Sequence, residues 1–208
     1  MQIWLNLPKA KKMSDPHFKM LWDEDIPRVK AEGVEVSVIA GSYPGSAAAL
    51  APPPDSYASD PRAALCLLTL TMAAGADYAL PGWKADGLGA PPRRSLFVYA
   101  GSMTVDGRRM ASPTKVSVRA DATLQLTAGG DGCKFVVMQA RPIGEPVVQH
   151  GPFVGCTRGD IVKAFEDYQT TEFGGWSFGD SSPNHPAEKA RHARYADGRV
   201  EEPGKCEA

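Results

Sequence analysis

The chain has 208 residues, among them 21 Gly and 18 Pro, and a formal net charge of −1 from 23 Lys and Arg against 24 Asp and Glu. Gly and Pro together exceed the average share of about 12% yet stay below the roughly 25–30% of low-complexity disorder, so the chain reads as globular and loop-rich, with one core. The balanced charge argues against direct nucleic-acid binding, and the longest apolar stretch, residues 63–74, is shorter than the ~20 residues of a membrane span.

Residues 1–33 read as an extended arm. Gln2 to Leu7 alternates weakly until Pro8, and Pro16 and Pro27 bracket a polar piece in which Phe18, Leu21 and Trp22 fit one helical turn. At Val34 the period becomes two: Val34, Val36 and Val38 share one face, Glu35 and Ser37 the other, and Gly41 ends the strand. A Pro- and Ala-rich loop with Pro52-Pro53-Pro54 admits no central strand. Residues 65–72 form a dense apolar run, and residues 97–105 read as two strands folded about Gly101. Val116/Val118 and Leu124/Leu126 alternate, and Ala128-Gly129-Gly130-Asp131-Gly132 reads as a hairpin turn into residues 134–139. Residues 147–150 are a last short strand. Seven or eight short strands between Gly/Pro turns predict an all-β fold, a sandwich or jelly roll over residues 34–156. An amphipathic helix is expected at 157–173, with Thr157 as N-cap, Asp160 three residues on, and Ile161, Ala164, Phe165 and Tyr168 on one stripe. Arg158-Gly159-Asp160 is then a helix start rather than an adhesion tripeptide. Residues 174–208 read as a polar tail.

Metal ligation needs side chains converging on one point. His17, His150, His185 and His192 form neither H-x-H nor H-x-x-x-H, and His150 reads as a structural histidine. Gly41-Ser42-Tyr43-Pro44-Gly45 lacks the G-x-S-x-G spacing of a nucleophile elbow. The glycines at 129–132 lack the Lys-Ser/Thr pair of a phosphate loop. No residue is assigned to catalysis, cofactor binding or metal ligation. Cys66, Cys133, Cys156 and Cys206 contain no C-x-x-C, and no basic-then-apolar leader opens the chain, so reduced thiols and a cytoplasmic or nuclear, non-secreted protein are expected. Cys66 and Cys133, inside apolar runs, should pack as small hydrophobes.

Two segments carry a family resemblance. Trp4-Leu5-Asn6-Leu7-Pro8 with Lys12-Met13 and Pro16 resembles the W-x-N-L-P…K-M…P stretch of pirins, and Glu145-Pro146-Val147-Val148-Gln149-His150-Gly151-Pro152-Phe153-Val154 is similar to their E-P-V-x-x-H-G-P-F-V block. Gly82-Trp83, Phe97-Val98-Tyr99, Phe173-Gly174-Gly175-Trp176 and Tyr195-Ala196-Asp197-Gly198-Arg199-Val200 also fit. The resemblance implies a cupin barrel matching the second half of a two-barrel protein. In that family iron is held by histidines and a glutamate of the first barrel, for which this chain offers no matching positions. Gly155-Cys156 replaces the usual Met-Asn, and residues 51–61 and 84–94 look like insertions.

The expected function is a non-catalytic binding or regulatory module, co-regulator-like through protein contacts, with no cofactor of its own. The alternative is part of a metal-dependent quercetin 2,3-dioxygenase whose catalytic barrel lies outside this chain. Trp4, Phe153 and Trp176 are expected to lie bare on an inter-barrel face that takes a protein partner or a second copy, with neither nucleic acid nor membrane as partner.

Overall fold

A computed structural model describes residues 1–175, 188, 190–195 and 197–204; Trp176, His185, Cys206 and much of the stretch read as a polar tail lie outside the described residues. The chain divides into two compact units, one of Leu21–Ile143 and one of Met1–Met20 with Gly144–Ala208.

The unit Leu21–Ile143 is an antiparallel β-structure of jelly-roll type. Its strands are β1 (Arg28–Ala31), β2 (Val34–Gly41), β3 (Cys66–Met72), β4 (Asp77–Leu80), β5 (Arg93–Val105), β6 (Arg108–Ala111), β7 (Thr114–Val118) and β8 (Leu124–Ala140). They form one sheet in the order β1-β2-β3-β8-β5-β6, with β4 also on β8 and β7 also on β5. The alternation in β2 does what its pattern predicts, burying Val34, Val36 and Val38 while Glu35 and Ser37 stay half-exposed. The core continues through Leu68, Leu70, Leu96, Val98, Leu126 and Phe135, each at most 1% exposed. Each such side chain contributes about 1.5–3 kcal/mol relative to exposure. Cys66 and Cys133 pack in this core as free thiols.

The long strands depart from the sequence reading. Residues 97–105 are not two strands about Gly101; β5 runs unbroken over 13 residues. Nor do residues 128–132 turn the chain, since β8 runs 17 residues through them. Both strands bend instead. Before its glycines β8 pairs with β4, and after them with β3, while β5 accompanies both halves. Gly101 and Gly132, with φ of +70° and +71°, sit side by side at the bend, where a Cβ on Gly101 would stand 2.0 Å from the Gly132 carbonyl oxygen. The real turn is Asp106-Gly107, both at positive φ, which closes β5 onto β6. The stretch read as an arm also contains β1, and no helical turn forms at Phe18, Leu21 and Trp22.

In the unit Met1–Met20 with Gly144–Ala208, β9 (Val148–His150) pairs with β10 (Phe153–Gly155), and the helix α1 spans Arg158–Thr171. Its N-terminus is a complete capping box: the Thr157 hydroxyl accepts from the Asp160 N–H, and Asp160 Oδ2 accepts from the N–H groups of Thr157 and Cys156. These bonds hold the Asp160 carboxyl below its usual range. Phe153 is not bare: it packs edge-on against Phe165 at 4.6 Å and Phe173 at 6.0 Å. His150 meets Phe165 at 5.5 Å. The backbone N–H of Lys9 donates to Glu145 at 2.6 Å, and Lys12 Nζ donates to Asn6 at 2.6 Å. Residues of the two motif blocks are thus bonded to each other and within themselves. Among the described residues no helix is long and apolar enough to cross a membrane.

Candidate functional site

A cavity of about 670 Å³ opens within the unit Leu21–Ile143, in the range typical of small-molecule sites. Strand register builds its polar wall. Gly41 lies opposite Cys66, Cys66 opposite Gln139, and Gln139 opposite Arg94, so one row of inward-facing residues crosses β2, β3, β8 and β5. The row two residues further in is Leu68, Val137 and Leu96, wholly apolar. A polar rank therefore stands over a greasy floor, as the period of two requires.

The polar rank is internally bonded. Arg94 Nε donates to Gln139 Oε1 at 2.9 Å, and Gln139 Nε2 donates to the Ala64 carbonyl at 3.0 Å. Arg94 Nη1 donates to the Pro81 carbonyl at 2.8 Å. Arg94 is only 7% exposed and has no carboxylate partner among the described residues. Burial pulls its guanidinium below the ordinary value, but arginine stays charged at neutral pH. The thiol of Cys66 donates to the Ser42 carbonyl at 3.5 Å, and burial pushes it up to about 11. Tyr43 shares a hydrogen bond with Tyr78, and burial with that bond pushes its phenol upward too. At pH 7 the rank thus holds one buried positive charge beside a neutral thiol and a neutral phenol.

The rim comes from residues 51–61 and 84–94, the stretches read as insertions. Asp60 accepts from Arg62 at 3.0 Å, which holds its carboxyl below the usual range. Asp86 is likewise held down by an ion pair with Arg141. Arg141 is itself buried; it donates to the carbonyls of Arg62 and Ala90, each at 2.6 Å, and lies 5.4 Å over the Trp83 ring. Tyr57 donates its hydroxyl to the Arg141 carbonyl at 3.1 Å. One arginine therefore staples both loops beside the cavity.

Iron, which the family resemblance implies for a first barrel, does not fit this cavity. Among the described residues no three His, Cys, Asp or Glu side chains converge on a point, and the cavity's ligand-type residues are Cys66, Asp60 and Asp86, the last two already engaged by arginines. His150 and His192 lie in the other unit. Arg94 and Gln139 were missed in the sequence, although a signal was there. Arg94 is in phase with Leu96 and Val98, and Gln139 with Val137 and Phe135, so the alternation that buries those residues buries these as well.

Comparison with known proteins gives this geometry a family context. The profile of the pirin C-terminal cupin domain matches residues 68–174, just over half of the chain. A candidate quercetin 2,3-dioxygenase of Pseudomonas aeruginosa is 32% identical over 172 residues, covering 81% of this chain and 56% of that protein. Pirin-1 of Arabidopsis thaliana is 32% identical over 178 residues, covering 84% and 58%. The crystal structure of a quercetin 2,3-dioxygenase from Acinetobacter baumannii superposes with a TM-score of 0.69 at 24% identity, covering 82% of this chain and 55% of that one, a likeness of fold. The chain thus spans a little over half the length of these relatives.

Proposed function

The chain belongs to the pirin family, through its C-terminal cupin domain, and from that premise we propose that it works as a non-catalytic binding module with a regulatory role. The observation that carries this reading is the cavity itself, which pairs a buried cation and apolar walls with no convergent metal-ligand set among the described residues. Such a lining can hold and orient a small molecule, but it offers no activated nucleophile: the thiol of Cys66 is protonated at neutral pH. A co-regulator role then follows by contact with another protein. Ile3, Trp4 and Leu5 are 42%, 61% and 42% exposed, and this bare arm is the proposed contact surface, for a second copy or a protein partner.

A second reading is favoured by the names of two relatives: that the chain is part of a metal-dependent quercetin 2,3-dioxygenase whose catalytic residues lie elsewhere. Metal analysis separates the two. The chain is loaded with ferrous iron, washed and assayed for bound metal and for quercetin consumption. The binding-module reading expects iron well below one equivalent and no turnover; one retained equivalent with turnover would overturn it.

A further inference from the structure

We propose that the cavity of the unit Leu21–Ile143 is a site for a small organic monoanion, a carboxylate on a flat apolar body, gripped by Arg94. This deepens the binding-module reading and rests on it.

The charge distribution is the first argument. A buried guanidinium without a counter-ion is costly, and structures normally neutralise it. Here the two carboxylates at the rim are each engaged elsewhere, Asp60 by Arg62 and Asp86 by Arg141. Among the described residues no carboxylate pairs with Arg94, and Lys84, exposed at the cavity mouth, adds a second cation that forms no ion pair with them. An anion from solution completes the pairing.

The second argument is orientation. Nε and Nη1 of Arg94 are tied to Gln139 and Pro81, and Gln139 is tied in turn to Ala64. The guanidinium plane is therefore fixed in advance, with N–H groups left over for a two-point grip on a carboxylate. Those groups are not sealed off. Arg94 lines the cavity, and its Nη2 is not among the buried unpaired side-chain atoms of the described residues, so that edge of the guanidinium meets accessible space.

The remaining walls choose between anions. Leu68, Leu80 and Val137 line the floor, and Trp83 and Tyr43 offer ring surfaces. Inorganic phosphate would waste that apolar area and meet only one buried cation. A monoanion with a planar hydrocarbon body satisfies both parts. Two loop stretches stapled by Arg141, residues 51–61 and 84–94, frame it and close the apolar part of the site from the side.

The test is a titration of the folded chain with benzoate, cinnamate and 2-naphthoate, against the matching neutral amides, by calorimetry and ligand-observed NMR. At least one carboxylate is expected to bind at one per chain, with its amide at least tenfold weaker. Arg94→Met should weaken the carboxylate at least tenfold, Lys84→Ala severalfold, and Lys163→Ala, on the helix of the other unit, not at all. Should Arg94→Met fail to fold, Arg94→Lys keeps the charge but loses the fork and should still weaken binding at least fivefold. Equal binding of acid and amide, or wild-type affinity in Arg94→Lys, would overturn the proposal while leaving a binding module standing. No binding of any acid or amide to the folded wild-type chain would overturn both.

Discussion

At the scale of single residues, the cavity and the bend are each decided by one or two side chains. Cys66 makes stability depend on pH. Its thiol titrates near 9 when unfolded and at about 11 when buried, so the folded chain binds the proton more tightly. Stability is then full below about pH 9 and falls as pH rises toward 11, by up to about 2–3 kcal/mol. Cys133, also raised by burial, and Tyr43 act in the same direction. Urea unfolding at pH 7.5, 9 and 10.5 should show this loss, and Cys66→Ala should flatten part of the slope; an unchanged slope would contradict the burial of the thiol. Glycine supplies a second contrast. Gly101→Ala combines a strained φ with a Cβ driven into the Gly132 carbonyl, whereas Gly107→Ala at φ +78° meets open space. The first should cost at least about 3 kcal/mol and the second about 1 kcal/mol by equilibrium denaturation. Arg94, by contrast, stands in no ion pair, and its removal also removes a desolvated charge. Arg94→Met should therefore cost only about 1–3 kcal/mol, the unpaired Gln139 and Pro81 acceptors being partly offset by the lost desolvated charge.

At the scale of elements, what was legible followed from periodicity and caps. The alternation of β2, the apolar run of β3 and the Thr157/Asp160 start of α1 all appear where the residue pattern places them, because one buried face or one unsatisfied helix end leaves few alternatives. Thr157→Ala should cost about 1 kcal/mol, seen as lower helicity in α1 by circular dichroism or chemical shift. The failures share a cause. Gly129-Gly130-Asp131-Gly132 has the composition of a turn, yet those glycines let one long strand cross Ser102 and Met72 closely. Asp106-Gly107 is the dipeptide whose positive-φ pair turns the chain, beyond Gly101. The polar rank was illegible for a similar reason. An arginine following Arg93 reads as solvated until register sets it beside Gln139. The rim loops depend on a long-range staple that no local pattern announces. Arg141→Met should leave the sheet intact by circular dichroism while residues 51–61 and 84–94 become the first sites of limited proteolysis; an unaltered cleavage pattern would remove Arg141 from that role.

At the scale of the whole molecule, the chain is a pirin-family cupin that places a buried cation over an apolar floor and frames it with two stapled loops. Its exposed arm is the proposed surface for association. Sedimentation should reveal self-association that Trp4→Ala weakens at least severalfold, whereas a monodisperse monomer at high concentration that also captures no partner through the arm would refute that surface. The central claim, however, concerns the cavity, and one measurement addresses it most directly: a crystal structure grown at saturating benzoate. The carboxylate is expected within about 2.9 Å of the Arg94 Nη atoms, with the ring against Trp83 or Tyr43. A cavity holding only water, or a ring bound with its carboxylate turned away from Arg94, would contradict it.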